Sequence, residues 1–411
     1  MKNENPLFFY LRQVVKGKLF VAYKDILKNA IRTFEDLEQW LADRKANVDP
    51  GLREVIARYP MRVNTYYLSL IEEMNDGIWK QAIPDVDELE HYMDLTADPL
   101  NEEGDIPFGG SRTTIHRYPD RVLLFVSNEC AMYCRFCTRK RKIGDDRKNP
   151  SLRDIKMGIE YIASNEDVKD VLISGGDPLL IPNTRLDEIL GELTEIKHLK
   201  LIRIGTRVPC VWPQKIIEDK ELIDVLRKHT PRSLKNPQLY INTHFNHPNE
   251  ITDESYQAIK ILRELGIPIG NQTVLLKGIN DNSDVMRDLV YSLGKMGAKP
   301  YYLHYADLVE GTGHFRTAIY KGKQICKDLC GAITGFLRPV YVLDTQGGKG
   351  KVPIDLGFSD GISEDKRGGT FTSAIGLGKV YVNDPIERNK QWVSQHNLRL
   401  DPDGGKMATN G

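Results

Sequence analysis

From about residue 120 onwards, the chain alternates short aliphatic runs with longer amphipathic stretches. In the amphipathic stretches, apolar residues such as Ala258, Ile261 and Leu265 recur every three or four positions, which is the period of a helix. The aliphatic runs are rich in β-branched residues and predict strands. The six predicted strands are residues 122–127, 170–174, 199–205, 239–245, 268–276 and 300–306.

A helix is predicted after each strand, so the chain contains six consecutive strand–helix units and a parallel sheet. Such repetition is compatible with a doubly wound sheet or with a barrel, complete or incomplete. The unusual polar residues lie at or just beyond the C-terminal ends of the strands, which is the face that carries chemistry in βα barrels. The predicted helices are residues 152–164, 186–196, 213–229, 253–266, 283–297 and 321–336.

We therefore expect an α/β barrel with a helical N-terminal region and a C-terminal extension. The predicted domains are 1–110, which is helical, 111–338, the barrel, and 339–411, the C-terminal segment. Thr33 and Asp36 form a plausible capping pair ahead of one N-terminal helix. The last ten residues are expected to be loose.

Composition restricts the partners. Hydrophobic residues make up 40% of the chain, which is enough for a large core, and the 57 basic residues balance the 57 acidic ones. A net charge of zero gives no strong electrostatic case for nucleic acid or an anionic membrane. The N-terminus is too polar for a signal peptide and the apolar runs are too short to span a bilayer. We expect a cytoplasmic protein that binds small molecules.

Three of the six cysteines, Cys130, Cys134 and Cys137, lie within eight positions. In a reducing compartment such crowding indicates a metal site rather than disulfides. Three thiolates can hold three irons of a [4Fe–4S] cluster and leave the fourth iron open, whereas structural zinc prefers four ligands. Zinc with a distant histidine is the minor alternative. The other three cysteines are expected to be buried as small hydrophobic residues: Cys210, Cys326 and Cys330.

The cysteine run has an aromatic residue, Phe136, just before its last cysteine, and a Ser-Gly-Gly-Asp tetrapeptide follows one predicted strand later. These motifs resemble the radical S-adenosylmethionine (SAM) superfamily. The resemblance implies that the methionine part of SAM binds the open iron and that Phe136 packs on the adenine. It also implies that a glycine-rich strand end meets the methionine ammonium, here formed by Ser174, Gly175, Gly176 and Asp177.

A second cofactor is suggested by residues 344–353, DTQGGKGKVP. This loop fails the phosphate-loop pattern, because Val352 replaces the required serine or threonine. A lysine flanked by glycines at a barrel mouth also suits a Schiff base with an aldehyde, and a solvated loop is the alternative. Upstream, Arg117 and Arg121 stand four apart, and two guanidiniums at this spacing can share one phosphate.

Together the ordered motifs closely resemble the lysine 2,3-aminomutases, which are radical SAM enzymes that also use pyridoxal 5′-phosphate. The resemblance extends over more than two thirds of the chain, from TYYLSLI through HRYPDR, RIGTR and NTHFNHPNEIT to GGKGKVP. It implies that the fold is a partial (βα)6 TIM-like barrel and that the protein is an isomerase that moves the α-amino group of L-lysine to Cβ. It assigns Lys351 to pyridoxal, with Lys349 as the competitor, Arg117 and Arg121 to the phosphate, and His244 and Gln272 to the adenosyl cofactor.

The resemblance also assigns the substrate contacts. Arg139 matches the family's ligand for the substrate carboxylate, and Asp307 and Asp344 match the pair that binds the distant ammonium. Lysine is therefore the expected substrate. Lys140–Lys142, which follow Arg139, are expected to be a solvated basic run. His304 and Tyr305 depart from the family pattern and resemble relatives that make β-lysine for elongation factor P.

Alternatives stay open at this point. A mutase for arginine, ornithine, glutamate or lysine destined for elongation factor P would share these motifs, and a non-catalytic iron–sulfur protein is the remote rival. The family's intersubunit zinc is not expected, because the tail lacks the cysteine cluster and Asn282 replaces a further cysteine. The resemblance implies an external electron donor of the flavodoxin or ferredoxin type and a homo-oligomer.

Overall fold

The computed structural model describes residues 23–357 apart from 146, 148 and 232. Beyond residue 357 it describes only the backbone of short strands. The final segment 402–411, which we expected to be loose, lies outside the described residues.

Between residue 23 and the barrel, the structure describes five short α-helices that pack onto the barrel. They share its hydrophobic core, to which they contribute the fully buried side chains of Leu37, Val55 and Tyr67. The predicted capping pair is present, because Thr33 accepts from the N–H of Asp36 and the Asp36 carboxylate accepts from the N–H of Thr33. The helices are α1 (Tyr23–Lys28), α2 (Phe34–Ala42), α3 (Leu52–Arg58), α4 (Thr65–Ser69) and α5 (Trp79–Ala82).

A single nine-stranded sheet follows the chain order and curves into a nearly closed barrel. Its first and last pairs are antiparallel and the seven strands from β2 to β8 are parallel. All six predicted strands are confirmed. The strands are β1 (Thr114–Tyr118), β2 (Arg121–Ser127), β3 (Asp170–Gly175), β4 (Leu201–Gly205), β5 (Gln238–Thr243), β6 (Ile269–Leu275), β7 (Lys299–Tyr305), β8 (Val340–Thr345) and β9 (Gly350–Pro353).

Helices cover the outside of the parallel strands, as expected for βα units. One predicted helix, 213–229, is interrupted at Asp219, whose φ and ψ of −83° and 88° are not helical. The Asp219 side chain accepts from the N–H of Leu222 and so begins a new helix. The helices are α6 (Leu152–Ser164), α7 (Asn183–Thr194), α8 (Val208–Val211), α9 (Pro213–Glu218), α10 (Lys220–His229), α11 (Asp253–Glu264), α12 (Ser283–Met296) and α13 (Ile319–Ala332).

Residues 98–105, which we call the bridging segment, lie between the two edges of the sheet. The N–H of His116 on β1 donates to Asp105 O at 2.9 Å, and the N–H of Gly347, between β8 and β9, donates to Pro99 O at 2.8 Å. The edges also meet directly, because the N–H of Lys351 donates to the Tyr118 hydroxyl at 2.8 Å. The bridging segment therefore fills the gap that an incomplete barrel leaves open.

The C-terminal region forms two small antiparallel sheets. Four strands make the first: β10 (Ser359–Ile362), β11 (Gly368–Thr372), β12 (Lys379–Asn383) and β15 (Arg399–Asp401). The second pairs β13 (Glu387–Arg388) with β14 (Gln391–Trp392). Within the part of the chain that the structure describes, no helix has the length and apolar character needed to cross a membrane.

Candidate active site

The three clustered cysteines lie on the loop that follows β2, and each is partly exposed. Burial raises the pKa of Cys130 well above its usual value, and the charges of Asp177 and Cys137 add to this effect. Burial and the neighbouring Cys134 raise the pKa of Cys137 to about 11. The three thiols lie on one loop, where thiolates need a positive partner such as iron.

Arg207 contacts the cysteine loop, because its Nη1 donates to the sulfur of Cys134 at 2.8 Å. Its Nη2 donates both to Glu250, at 2.6 Å, and to the side-chain oxygen of Gln81, at 2.7 Å. Because Arg207, Glu250 and Gln81 are buried, the guanidinium is fixed in place against Cys134. Arg207 ends the RIGTR motif, to which the sequence analysis assigned no role.

A buried ion-pair network anchors the same loop to the N-terminal region. Glu88, whose side chain is fully buried, binds Arg135 Nη2 and Lys140 Nζ at 2.6 Å each. Lys140 also donates to the carbonyl oxygens of Arg135 and Gly311. The prediction that Lys140 belongs to a solvated basic run is therefore wrong. The buried carboxylate of Glu88, which is distant in the sequence, binds the Lys140 ammonium in the protein interior.

The glycine pair after β3 approaches the backbone that precedes the cysteines. Gly176 N donates to Ser127 O at 2.5 Å, and Gly175 has a φ of +122°. A Cβ atom at either glycine would overlap a carbonyl oxygen, so both positions require glycine. Asp177 is buried, and its oxygens accept from the Thr206 hydroxyl and from the N–H groups of Arg207 and Leu179.

Phe136 and His244 lie together on the same side of the cysteine loop. Their ring centroids are 5.6 Å apart, and Phe136 also packs edge-on against Phe315. Burial and the charge of Arg207 lower the pKa of His244 well below its usual value, so the imidazole is neutral near pH 7. Gln272 is partly buried on β6, beside Tyr302 of β7.

Arg139 is held by a glutamate that the sequence analysis did not identify. Its Nε and Nη2 donate to Glu102 Oε1 at 2.9 and 2.7 Å, and its Nη1 lies 3.2 Å from Gly175 O. The Glu102 side chain is only 4% exposed. Burial opposes the ionisation of Glu102, but the charge and hydrogen bonds of Arg139, together with the charges of Arg141 and Lys142, outweigh it and lower the pKa of this carboxyl.

The two aspartates, His304 and Lys351 form one polar cluster at the barrel mouth. Lys351 Nζ lies 2.5 Å from Asp344 Oδ2, and His304 Nδ1 lies 3.1 Å from the same oxygen. Burial opposes the ionisation of Asp344, yet the His304 hydrogen bond and the charge of Lys351 lower its pKa to about 2. The Thr138 hydroxyl donates to Asp307 Oδ2 at 2.5 Å.

Two buried atoms of this cluster have no hydrogen-bond partner among the described residues: Asp307 Oδ1 and His304 Nε2. Asp307 follows the end of β7 and Asp344 lies on the neighbouring strand β8, and burial together with the charge of Asp344 raises the pKa of Asp307. A buried acceptor without a partner is costly unless a ligand satisfies it. The cluster therefore fits a ligand that carries a positive charge or a hydrogen-bond donor.

Lys351 and Lys349 differ in their surroundings. Lys351 is partly buried, its ammonium lies 5.3 Å from the centre of the Tyr302 ring, and β9 pairs it with Asp344 in register. Lys349 is exposed and lies between the glycine turn and β9. This difference favours Lys351 as the residue that faces the site.

The two arginines of the β1–β2 hairpin are also placed differently. Arg117 Nε pairs with Asp105 at 2.8 Å, and its Nη2 donates to Leu100 O at 2.5 Å, so the bridging segment holds it. Arg121 is 41% exposed, stacks on the ring of Tyr118 and pairs with Asp120. Of the two, Arg121 has more of its guanidinium accessible to a phosphate.

The cysteine loop and Lys351 belong to one continuous site. Thr138, which follows Cys137, donates to Asp307 Oδ2, and Asp344 on the strand next to Asp307 pairs with Lys351. Three residues of this site were not predicted as such: Glu102, Thr138 and His304. Glu102 and Thr138 carry no motif of their own, whereas His304 was noticed only as a departure from a family pattern.

Comparison with known proteins agrees with this architecture. The sequence profile of the radical SAM superfamily matches residues 124–290. The L-lysine 2,3-aminomutase of Methanococcus maripaludis is 46% identical over 338 residues, which cover 81% of this chain and 75% of that protein. The L-lysine 2,3-aminomutase of Clostridium subterminale is 42% identical over 342 residues, which cover 83% and 79%.

A relative with another printed substrate falls in the same range. The glutamate 2,3-aminomutase of Clostridioides difficile is 40% identical over 334 residues, which cover 81% of this chain and 76% of that protein. Similarity of this extent establishes common ancestry over about four fifths of the chain. The chain belongs to the L-lysine 2,3-aminomutase family of the radical SAM superfamily.

Proposed function

We propose that the protein is an isomerase that converts L-lysine to L-β-lysine by moving the α-amino group to Cβ. One observation carries the choice of lysine: Asp307 and Asp344 lie together at the barrel mouth, and Asp307 has a buried oxygen without a partner among the described residues. A substrate whose side chain ends in an ammonium satisfies that oxygen.

The described residues fit the cofactors of the family, a [4Fe–4S] cluster, SAM and pyridoxal 5′-phosphate. When bound, the cluster and SAM supply hydrogen-atom abstraction, and pyridoxal supplies the π-bond that lets an amino group migrate. We assign the cluster to Cys130, Cys134 and Cys137, and pyridoxal to Lys351. The remaining cofactor contacts that we propose are Phe136, Ser174, Gly175, Gly176, Asp177, His244 and Gln272 for SAM, and Arg117 and Arg121 for the phosphate.

The chain's own residues hold the substrate at both ends. Arg139 binds the carboxylate, and the aspartate pair binds the distant ammonium. Fixing both ends of a flexible amino acid sets the position of Cβ between them, which removes much of the entropic cost of reaction. Apolar groups around Phe136 exclude water from the same face of the barrel.

A glutamate substrate is disfavoured by the same charges. Two carboxylates about 4 Å apart repel by roughly 4 kcal/mol at an effective dielectric near 20, whereas an ammonium gains a similar amount before desolvation. Asp344 stays ionised because its pKa is about 2. Arginine and ornithine carry the same charge as lysine, so only the length and shape of the pocket distinguish them.

We further propose that the enzyme is cytoplasmic, receives electrons from a flavodoxin or ferredoxin type donor and forms a homo-oligomer. The domain division that we propose is 1–110, 111–338 and 339–411. These proposals come from the sequence and from the family.

A substrate panel tests the function. The protein is reconstituted anaerobically with iron, sulfide and pyridoxal phosphate, reduced, and incubated with SAM and one amino acid at a time. We expect β-lysine from L-lysine at a rate at least about tenfold above that with ornithine, arginine or glutamate. A larger rate with any of the other three amino acids would overturn the choice of lysine.

A further inference from the structure

We propose that Glu102 is a positioning residue for substrate recognition, which holds the guanidinium of Arg139 so that its terminal nitrogens face the substrate carboxylate. This inference rests on the proposed function, in which Arg139 binds that carboxylate. It assigns a role to the bridging segment, which none of the sequence motifs includes.

The contact between Glu102 and Arg139 occupies one side of the guanidinium. Nε lies 2.9 Å from Oε1 and 3.1 Å from Oε2, and Nη2 lies 2.7 Å from Oε1. An arginine presents its N–H groups as a rigid fork, with one pair along the side and another at the end. Glu102 thus binds the Nε side of the fork.

The end of the fork remains available. Nη1 has only the longer contacts to Gly175 O, at 3.2 Å, and to Ser174 Oγ, at 3.5 Å. The second hydrogen of Nη2 points away from the Nε side. A substrate carboxylate can therefore bind the end of Arg139 while Glu102 keeps the side, so one guanidinium serves two carboxylates.

Glu102 is fixed too firmly to act as a carboxylate that the substrate displaces. Its side chain is 4% exposed and also binds Arg141 at 3.3 Å. The bridging segment is tied to the barrel on both sides of it, by Leu100 O to Arg117 and by Asp105 to Arg117. Withdrawal of Glu102 would break several of these bonds and leave the guanidinium of Arg139 without its carboxylate, whereas Arg141 would keep its pair with Asp98.

The charges agree with a supporting role. Arg139 and Arg141 both face Glu102, and Arg141 also pairs with Asp98 at 2.9 Å, so Glu102 is the main counter-charge of Arg139 rather than of Arg141. Without Glu102, the two guanidiniums repel each other and Arg139 loses the bonds that set its rotamer. The substrate carboxylate then binds an Arg139 guanidinium that is charged but no longer held in one rotamer. Ordering that side chain upon binding costs free energy.

The experiment measures binding without turnover. Anaerobic enzyme with pyridoxal bound, in the absence of SAM and reductant, is titrated with L-lysine or with lysinamide, which lacks the carboxylate. The change in the visible spectrum of the cofactor gives a dissociation constant for each. We expect Glu102→Ala to weaken L-lysine on the order of tenfold and to change lysinamide by less than about twofold.

Two further variants make the result specific. Glu102→Asp shortens the side chain and keeps its charge, and we expect partial recovery of lysine affinity. Glu103→Gln removes a charge from the same segment, where Glu103 is 66% exposed and pairs only loosely with Arg141 and Lys142. We expect this control to leave both dissociation constants unchanged.

The outcomes separate the inference from the proposed function. Equal losses for lysine and lysinamide in Glu102→Ala, or tighter binding of lysine, would overturn the positioning role while lysine remains the substrate. If wild-type enzyme binds lysinamide as tightly as lysine, or Arg139→Met binds lysine normally, the carboxylate assignment to Arg139 fails, and the role of Glu102 fails with it.

Discussion

Asp344 on β8 and Lys351 on β9 form an ion pair across the last, antiparallel pair of strands, with 2.5 Å between Oδ2 and Nζ. The two residues that we assign to the substrate ammonium and to pyridoxal are therefore direct neighbours. An antiparallel register places them opposite each other, so the short turn at 346–348 is part of the site. This strand pairing explains why Asp344, which we assign to the ammonium of the substrate, lies beside Lys351, which we assign to pyridoxal.

The assignment of pyridoxal to Lys351 gives the first prediction. Lys351→Ala removes the only amine that faces Asp344 among the described residues, and Lys349→Ala removes the exposed competitor. We expect Lys351→Ala to lose the absorption band of lysine-bound pyridoxal and to retain the iron content of the wild type, since the cysteine loop is untouched. Lys349→Ala should retain both. A retained band in Lys351→Ala, with loss in Lys349→Ala, would reverse the assignment.

Substrate recognition by the aspartates gives the second prediction. Asp307→Asn keeps the bond from Thr138 and removes a charge from the site proposed for the ammonium. Loss of a hydrogen bond between charged groups costs about 1.5–3 kcal/mol, so KM for L-lysine should rise by roughly ten- to a hundredfold with a smaller change in kcat. Steady-state kinetics under anaerobic conditions measure both. An unchanged KM would remove Asp307 from the substrate site.

The buried network around Glu88 gives the third prediction. Glu88→Gln keeps the shape of the side chain but leaves Arg135 and Lys140 buried without a counter-charge. Breaking a buried ion pair on one side costs about 3–5 kcal/mol. Urea denaturation of the cofactor-free protein should show this loss, and iron incorporation should fall because Arg135 lies between two of the cysteines.

The matched control for this network is Glu90→Gln, which changes an exposed residue of the same region. Its effect on the free energy of unfolding should stay within about 0.5 kcal/mol. Equal denaturation midpoints for both variants would show that the Glu88 network does not stabilise the fold.

The break between α9 and α10 gives the fourth prediction. Burial opposes the ionisation of Asp219, but the hydrogen bonds from Lys215 and Leu222 lower its pKa to about 2. A depressed pKa stabilises the fold above the unfolded value of about 4, and this contribution is lost as the pH falls towards 2. Asp219→Asn should therefore cost about 2 kcal/mol near neutral pH.

The pH dependence makes this prediction specific. Urea denaturation of the wild type and of Asp219→Asn should give free energies of unfolding that differ near neutral pH and converge only as the pH falls to about 2 and below. Asp224→Asn, in an exposed pair with Arg227, should change the stability by less than about 1 kcal/mol at every pH. A constant difference between wild type and Asp219→Asn across this range would exclude ionisation of Asp219 as the cause.

The periodic part of the fold could be predicted from the sequence because each strand and helix buries one apolar face. The prediction of a single helix over 213–229 was wrong because Asp219 sits in an otherwise continuous helical pattern. Its capping role depends on the local backbone conformation and on the ion pair with Lys215. The spacing of apolar residues in the sequence reveals neither of these. Predicted helix ends elsewhere differ from the observed ends by a few residues.

The site could be predicted only where residues are close in sequence or belong to a motif. The cysteines, the glycine pair and Lys351 carry such signals. Glu102 and Glu88 carry no such signal. Arg139 lies 37 residues from Glu102, and the two partners of Glu88 lie 47 and 52 residues from it, so these pairs form only in the folded chain. The environment of Lys140 was misjudged for the same reason, since a basic run is usually solvated.

The central claim is that one barrel mouth holds the cysteine-bound cluster, pyridoxal and lysine together. The most direct test is anaerobic turnover of L-lysine that carries heavy nitrogen at its α-amino group, with SAM and reductant, followed by chromatography and mass spectrometry. The account predicts β-lysine with the heavy nitrogen at Cβ. Absence of β-lysine from enzyme that contains both cluster and pyridoxal, or β-lysine without the label at Cβ, would contradict it.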